Sequence, residues 1–286
     1  MQTLTALWCD VNVGLTHEYD VQSLRDISVR VAREAAELAE NMRHGVVTEG
    51  TVDTKSTETD VVTAADRAVE RLIRQRLEEL RPGDPVLGEE EGGTHEQEGL
   101  QWVVDPIDGT VNYLYGHPNY AVSVAVQRNG TSLAGAVVEP RTGRVWSAAS
   151  GHGAELDGQR LTVSAERRLD LSLLGTGFSY HQQRRSRQAA LLTEMISEIR
   201  DIRRGGAASL DLCAVAAGWL DGYYEHGLSR WDWAAGALIA SEAGARLRLP
   251  HPNSTDGLGD EAILCACPGI AEALTATLLD KKVSTI

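Results

Sequence analysis

Two carboxylate-bearing segments, far apart in the sequence, place the strongest constraint on how this chain can fold. The first is WVVDPIDGTVNY, in which Asp105 and Asp108 follow an apolar run. The second is YYEHGLSRWDWAAGALIASEAG, in which Asp232 precedes a helical pattern. A third segment, GEEEGG, begins at Gly88 and adds further carboxylates upstream of the first. If these groups serve one site, the fold must bring both halves of the chain together around it.

Clustered carboxylates repel one another, and without a cation at least one of them would take up a proton. Such a cluster is a poor choice for stability alone, which favours a functional site. Magnesium prefers oxygen ligands, and two such ions can clamp the attacking and leaving oxygens of a phosphoryl transfer. The carboxylates therefore indicate a hard-cation site suited to phosphate esters.

The DPIDGT segment can also bind an anion. Pro106 restricts its own backbone angle, Gly109 permits a tight turn, and the following N–H groups can face a phosphate. One loop could therefore hold both metal and phosphate. The alternative is an ordinary capped turn, because Asp and Gly are common turn residues.

Composition excludes several classes of partner. A net charge of -14 over 286 residues argues against binding to nucleic-acid backbones, which favours a basic face. No apolar run is long enough for a membrane span, and no basic residue precedes Arg25, so no signal peptide is expected. The four cysteines lack CxxC spacing and are expected to be reduced. We therefore expect a cytoplasmic protein without nucleic-acid or membrane partners.

The first part of the chain alternates between helical and extended patterns. Residues 1–21 show little pattern and are expected to form an N-terminal extension. Apolar residues at helical spacing begin after Ser23, and a second helical stretch runs from Thr63 to Leu80. Short apolar runs at Pro85–Gly88 and Gln101–Val104 predict strands that each end at a carboxylate.

A series of strands follows, and then helices alternate with strands. From Tyr120 to Ala149 the pattern is extended, with Asn129-Gly130 as a hairpin signal. The later helices are predicted near 184–200, 207–218, 232–244 and 269–280. This order predicts an antiparallel α+β half (22–165) joined to an α/β half (166–286).

Two of these segments resemble signatures of the inositol monophosphatase family. They are DPIDGT followed by Asn112, and WDWAAGALIASEAG. The segment KSTETDVVTAAD, from Lys55 to Asp66, resembles the stretch before the family's metal-binding glutamate. The resemblance runs from about Ser23 to Ala266. It implies a layered αβαβα sugar-phosphatase fold, two or three Mg²⁺ ions, inhibition by lithium and a homodimer.

The resemblance also implies roles for particular residues. The implied metal ligands are Glu89, Asp105, the carbonyl of Ile107, Asp108 and Asp232. The implied catalytic residues, of which the first two would orient the attacking water, are Asp66, Thr110 and Glu89. The implied substrate contacts are Gly109, Thr110, Gly206, Ala207, Ala208, Glu225 and Asp232. Lys55 would lie on a mobile flap near the metals.

Four of these assignments have simpler alternatives. Asp66 follows Thr63 at the spacing of a capping box, and Asp232 could be the N-cap of the following helix. Glu225 could form a salt bridge at a strand end. Lys55 could be an ordinary surface lysine.

The function that the resemblance implies is hydrolysis of a phosphate monoester by a metal-activated water, with myo-inositol 1-phosphate as the first candidate. Ala207 stands where many members carry Thr or Ser, which removes one possible hydrogen bond to a substrate hydroxyl. The alternative substrates are fructose 1,6-bisphosphate, histidinol phosphate and adenosine 3′,5′-bisphosphate. Two other classes stay open: an accessory protein in transcription that does not need catalysis, and a carboxylate-rich binding module without turnover.

Overall fold

The computed structural model describes residues 19–49, 52–54, 61–93 and 99–286. Within these ranges the chain forms seven α-helices and fourteen β-strands. The helices are α1 (Val21–Glu49), α2 (Ala64–Leu80), α3 (Thr110–Leu114), α4 (Gln182–Met195), α5 (Ala208–Ala216), α6 (Arg230–Glu242) and α7 (Ala271–Asp280). The strands are β1 (Val52–Thr54), β2 (Val61–Thr63), β3 (Val86–Gly88), β4 (Leu100–Asp108), β5 (Ala121–Arg128), β6 (Thr131–Val138), β7 (Val145–Ala149), β8 (Gly153–Leu156), β9 (Gln159–Arg160), β10 (Leu173–Thr176), β11 (Asp201–Arg203), β12 (Gly222–His226), β13 (Arg246–Arg248) and β14 (Ala262–Ala266).

A seven-stranded sheet, ordered β3-β4-β5-β6-β7-β8-β9, contains most of the strands of the first half. Strand β3 runs parallel to β4, and every other neighbouring pair is antiparallel. The predicted hairpin is confirmed, since Asn129 and Gly130 connect β5 to β6 with φ values of 52° and 80°. Strand β4 is buried along its whole length, although it carries Asp105 and Asp108 as well as the apolar run Trp102–Val104.

The second sheet is mixed and has five strands, ordered β11-β10-β12-β14-β13. Strands β11, β10 and β12 are parallel, whereas β14 is antiparallel to both of its neighbours. The strands of the large sheet end at Arg160, and those of the second sheet begin at Leu173. The division into two domains near residue 165 stays a prediction.

Three hydrophobic clusters separate the layers of the fold. Helices α1 and α2 pack on the outer face of the large sheet, and α5 and α6 lie between the two sheets. Helices α4 and α7 cover the outer face of the second sheet. The layers therefore follow the order helix, sheet, helix, sheet, helix, which confirms the predicted αβαβα arrangement. No helix in the described part of the chain combines the length and the apolar character that crossing a bilayer requires.

Several boundaries differ from the sequence prediction, and helices α1 and α4 are two examples. Helix α1 begins at Val21 rather than Ser23, and α4 ends at Met195 rather than near residue 200. Strand β11 follows α4 within a few residues and pairs with β10. The periodicity of α4 could not locate its end, because a sheet partner elsewhere in the chain determines where the extended segment begins.

Helices α5 and α6 approach closely because Gly236 of α6 has no side chain. A Cβ atom built on Gly236 would lie 2.9 Å from the carbonyl oxygen of Ser209 and 3.0 Å from Cβ of Leu212. On the opposite side of α6, a Cβ on Gly135 of β6 would lie 3.1 Å from Cβ of Ala235. These two glycines therefore determine how far α6 lies from α5 and from the large sheet.

We predict that Gly236→Ala destabilises the protein by about 1–3 kcal/mol, because the added methyl group meets backbone and Cβ atoms that cannot move easily. Helix propensity alone predicts the opposite sign, a gain of about 1 kcal/mol. Urea unfolding measures the difference. The change Ala276→Gly, at an exposed position of α7, calibrates the propensity effect. A Gly236→Ala protein more stable than the wild type would contradict the close packing.

Candidate active site

An irregularity in strand β4 turns two aspartates toward one place. Successive side chains of a regular strand alternate between faces, so residues three apart would point in opposite directions. Strand β4 pairs Asp105 with Ser123 and Asp108 with Ala121, and its register shifts between the two aspartates. The N–H of Ile107 donates to Oδ1 of Asp105 at 3.0 Å. The bulge therefore lets both carboxylates face the same site.

The side chain of Asp108, the last residue of β4, contacts the N-terminus of helix α5. Its carboxylate accepts hydrogen bonds from the backbone N–H groups of Ala208 (3.2 Å) and Ser209 (2.7 Å), and from the Ser209 hydroxyl. Burial raises the pKa of Asp108 to about 6, although the Ser209 bonds lower it in part. Helix N-termini favour negative charge, so α5 opposes the cost of burying this carboxylate.

Asp232 lies in the first turn of helix α6. The helix begins at Arg230, and its N-cap is Ser229, so the expectation that Asp232 could be the N-cap is wrong. Asp232 is instead the third helical residue, and its Oδ2 accepts the Ser229 N–H at 2.6 Å in a capping box. The same carboxylate therefore caps the helix and faces the aspartates of β4.

The three aspartates form one cluster. Asp105, Asp108 and Asp232 each place a carboxylate oxygen within 4.8 Å of the others. Burial raises the pKa of Asp105 and of Asp232 well above the ordinary aspartate value, and the nearby charge of Glu89 raises both further. Clustered oxygen donors of this kind suit a hard divalent cation, whose charge would remove the repulsion.

Glu89 reaches the cluster from strand β3. Strand β3 is parallel to β4 and pairs Gly88 with Val104. The next residues, Glu89 after Gly88 and Asp105 after Val104, therefore lie next to each other. Glu89 lines the same cleft as the three aspartates. The structure thus brings together all four carboxylates that the sequence singled out for the metal.

Asp66 and Thr110 meet at the edge of this cluster. The Thr110 hydroxyl oxygen lies 3.2 Å from Oδ1 of Asp66 and 3.1 Å from the carbonyl oxygen of Ile107. Asp66 is buried in the first turn of α2. The side chain of Thr63 lies outside the described residues, so the capping alternative for Asp66 stays a prediction.

Gly109 makes the turn between β4 and α3 possible. Its φ of 92° is in the left-handed region, and a Cβ would lie 3.1 Å from the carbonyl oxygens of Asn119 and Gly206. The side-chain amide of Asn112 donates to the same neighbourhood, at 2.6 Å to the Asn119 carbonyl and 3.0 Å to that of Gly205. These contacts join the DPIDGT turn to the segment before α5.

A cleft of about 400 Å³ extends from the carboxylate cluster. Its lining includes all seven residues that the resemblance implied as substrate contacts: Gly109, Thr110, Gly206, Ala207, Ala208, Glu225 and Asp232. The Tyr223 hydroxyl donates to the Glu225 carboxylate, which is a contact different from the salt bridge that the sequence left open. Burial raises the pKa of Glu225 to about 7, while the Tyr223 bond lowers it in part.

Several residues that line the cleft were not predicted from the sequence. Asp211 lines the cleft together with Glu225. Burial and the charge of Glu225 raise the pKa of Asp211 to about 8. A lone carboxylate inside the apolar helix sequence ASLDLCAVA was a usable signal. Arg204 and the segment 177–181 also line the cleft, and no sequence pattern indicated them. Lys55, the expected flap residue, lies outside the described residues.

Comparisons of the sequence with known proteins point to one family. A sequence model of the inositol monophosphatase family matches residues 20–284. An inositol-1-monophosphatase from Mycobacterium leprae is 51% identical over 275 residues, which cover 91% of this chain and 94% of the relative. A protein called Nus factor SuhB, from Pseudomonas aeruginosa, is 39% identical over 78% of this chain and 84% of its own length.

The fold of this chain is also similar to that of a solved structure. The solved structure of Mycobacterium tuberculosis SuhB has a TM-score of 0.78 and 45% sequence identity, covering 91% of this chain and 97% of that one. Its similarity therefore extends over the layers that position the carboxylates as well as over the two signature segments. The chain belongs to the inositol monophosphatase family and is a phosphatase.

Proposed function

We propose that this protein hydrolyses a phosphate monoester in a Mg²⁺-dependent reaction, and that myo-inositol 1-phosphate is a substrate. The observation that carries the proposal is the cluster of Asp105, Asp108 and Asp232, with oxygens within 4.8 Å, at one end of a polar cleft. The name of the M. leprae relative supports the choice of substrate.

The donor set fits magnesium. The proposed ligands, all oxygen donors, are Glu89, Asp105, the Ile107 carbonyl, Asp108 and Asp232. Each carboxylate oxygen has two lone pairs, so Asp108 can accept its bonds from α5 and still bind a cation. When bound, two or three Mg²⁺ ions would neutralise the phosphate, stabilise the leaving oxygen and make water a better nucleophile.

The residues beside the cluster would position the reactants. A threonine hydroxyl has one proton and two lone pairs, so Thr110 can donate to Asp66 and accept a hydrogen bond from a water. This pair would orient the attacking water and begin to remove its proton. The backbone N–H groups of Gly109 and Thr110 would bind the phosphate, since both residues line the cleft.

The other end of the cleft would bind the alcohol part of the ester. Glu225 and Asp211 supply carboxyl groups there, beside the backbone of Gly206–Ala208, and a carboxyl group keeps an acceptor oxygen even when it is protonated. Asp232 belongs to the metal cluster and also lines the cleft, so it would contact substrate as well as metal. A leaving group with several hydroxyls satisfies these acceptors better than an apolar one does.

We predict that Asp232→Asn lowers phosphate release by several orders of magnitude, because an amide removes a negative metal ligand. Ser229→Ala is the matched control, since it removes the N-cap of the same helix but keeps the carboxylate. It should cost about 1 kcal/mol of stability and retain most of the activity. Equal losses in the two variants would show that capping explains the effect, and full activity of Asp232→Asn would refute the metal assignment.

The substrate is tested with the wild-type enzyme and Mg²⁺ on myo-inositol 1-phosphate, fructose 1,6-bisphosphate, histidinol phosphate and adenosine 3′,5′-bisphosphate. A preference in kcat/KM for inositol phosphate would support the proposal, and a preference for another ester would overturn the substrate but not the chemistry. Titrating lithium into the same assay tests the inhibition that the resemblance implies.

We also predict that magnesium and protons compete for the carboxylate cluster. Unfolded aspartates titrate near pH 4, whereas the folded pKa of Asp108 is about 6 and those of Asp105 and Asp232 are raised. The metal-free folded protein thus binds more protons than the unfolded chain between these values, so this contribution to stability falls as pH rises through the window.

Thermal unfolding without and with Mg²⁺, from pH 4.5 to 7.5, measures this effect. Relative to Asp108→Asn, the metal-free wild type should lose on the order of 2 kcal/mol across the window. Added Mg²⁺ should stabilise the wild type much more at pH 7.5 than at pH 4.5. Stabilisation by Mg²⁺ that is independent of pH would contradict a site built from these carboxylates.

A role in transcription is the second candidate, because the P. aeruginosa relative is called a Nus factor. Affinity purification from the native host tests it by detecting RNA polymerase. If this role is independent of catalysis, Asp232→Asn should capture as much polymerase as the wild type does. The homodimer that the resemblance implies is a further proposal, which analytical ultracentrifugation tests.

A further inference from the structure

A fully buried carboxylate on helix α2 binds the turn that carries Glu89. The side chain of Glu70 is 0% exposed, and its carboxylate accepts the backbone N–H groups of Glu90 at 2.7 Å and Glu91 at 3.1 Å. A Cβ on Gly88 would lie 2.2 Å from Oε1 of Glu70, so the carboxylate occupies the space that any larger residue would fill. Glu70 therefore contacts the residues on both sides of Glu89.

Arg74, one turn further along α2, completes this contact. Its guanidinium forms a salt bridge with Glu70 at 2.8 Å. It also donates to the carbonyl oxygens of Val86 (3.2 Å) and Gly92 (2.5 Å), which lie before and after the turn. The buried Glu70 and the partly buried Arg74 thus hold the end of β3 and both arms of the turn against α2.

We propose that Glu70 and Arg74 are positioning residues, which hold Glu89 where it can bind the metal. The inference rests on the proposed function, in which Glu89 is a ligand. The other three carboxylates lie on the long strand β4 and on helix α6, whereas Glu89 follows a strand of only three residues. It therefore depends most on contacts from outside its own element.

The chemistry of the pair supports a positioning role. A buried ion pair contributes little net stability, and apolar residues of similar volume often replace such pairs without loss. Here the pair does what apolar residues cannot do, because it binds backbone donors and acceptors of one turn in a single geometry. Asp66, Glu70 and Arg74 are spaced four residues apart and therefore lie on one face of α2. That face contacts Thr110 through Asp66, and it contacts the turn that carries Glu89 through Glu70 and Arg74.

The experiment measures the Mg²⁺ dependence of phosphate release in Glu70→Gln and Arg74→Gln. Glutamine keeps the shape of Glu70 but presents an NH₂ group to one of the two N–H donors. We expect the Mg²⁺ concentration for half-maximal activity to rise about tenfold or more, with kcat largely restored at saturating Mg²⁺ and the KM for substrate little changed. Arg74→Lys, which retains the charge but not the forked geometry, should give a smaller shift.

Arg76→Gln is the matched control, because Arg76 lies on the same helix and pairs with Glu34 and Glu79, away from the turn. It should keep the wild-type Mg²⁺ dependence. A wild-type Mg²⁺ dependence in Glu70→Gln and Arg74→Gln would overturn the inference, as would a fall in kcat that excess Mg²⁺ does not restore. If Glu70→Gln fails to fold, the Mg²⁺ dependence of Arg74→Gln and Arg74→Lys by itself tests the positioning role.

Isothermal titration of Mg²⁺ into each protein, without substrate, separates this inference from the proposed function. Weaker binding in Glu70→Gln than in Arg76→Gln supports the positioning role even if the tested esters are not hydrolysed. Equal binding in both variants refutes the positioning role. Absence of Mg²⁺ binding to the wild type refutes the metal assignment, and with it the basis of this inference.

Discussion

The mutual repulsion of Asp105, Asp108 and Asp232 is the constraint on which the rest of the structure depends. Three carboxylates with oxygens within 4.8 Å cannot all be ionised in a buried site unless bonds and cations oppose the repulsion. Each is therefore held by backbone N–H groups: Asp105 by Ile107, Asp108 by the start of α5, and Asp232 by Ser229. These backbone bonds fix the positions of the carboxylates without a bound cation.

The layered fold supplies these bonds from both halves of the chain. Strand β4 ends where helices α5 and α6 begin, and both helices lie between the two sheets. The small residues at their contacts, Gly236 and Gly135, allow α6 to pack closely against α5 and β6. The positions of the helix starts relative to β4 thus follow from packing, and the chemistry of the site depends on the spacing of the layers.

Local signals in the sequence predicted the strand-turn segment around Asp105, the Asn129-Gly130 hairpin and the helix that begins near Asp232. Each is encoded within a few neighbouring residues, so short-range rules apply. Arg204 escaped prediction because its place in the cleft depends on how distant elements pack, whereas Asp211, a lone carboxylate in an apolar helix, carried a local signal that was not used. The role of Glu70 was not predicted either. Its position in the α2 sequence is that of an ordinary charged helical residue, and its contacts arise only because the turn at Glu90 and Glu91 packs over it.

The residue pattern alone predicted the kind of chemistry: oxygen ligands, a hard cation that suits such ligands, and the segments that carry them. Only the tertiary structure decided which charges are buried, which carboxylates share a cleft and what holds the Glu89 turn. The physical reason is that ligand preference is a property of single side chains. Burial, pKa and hydrogen-bond partners, by contrast, arise from elements that are distant in sequence and meet only when the layers pack.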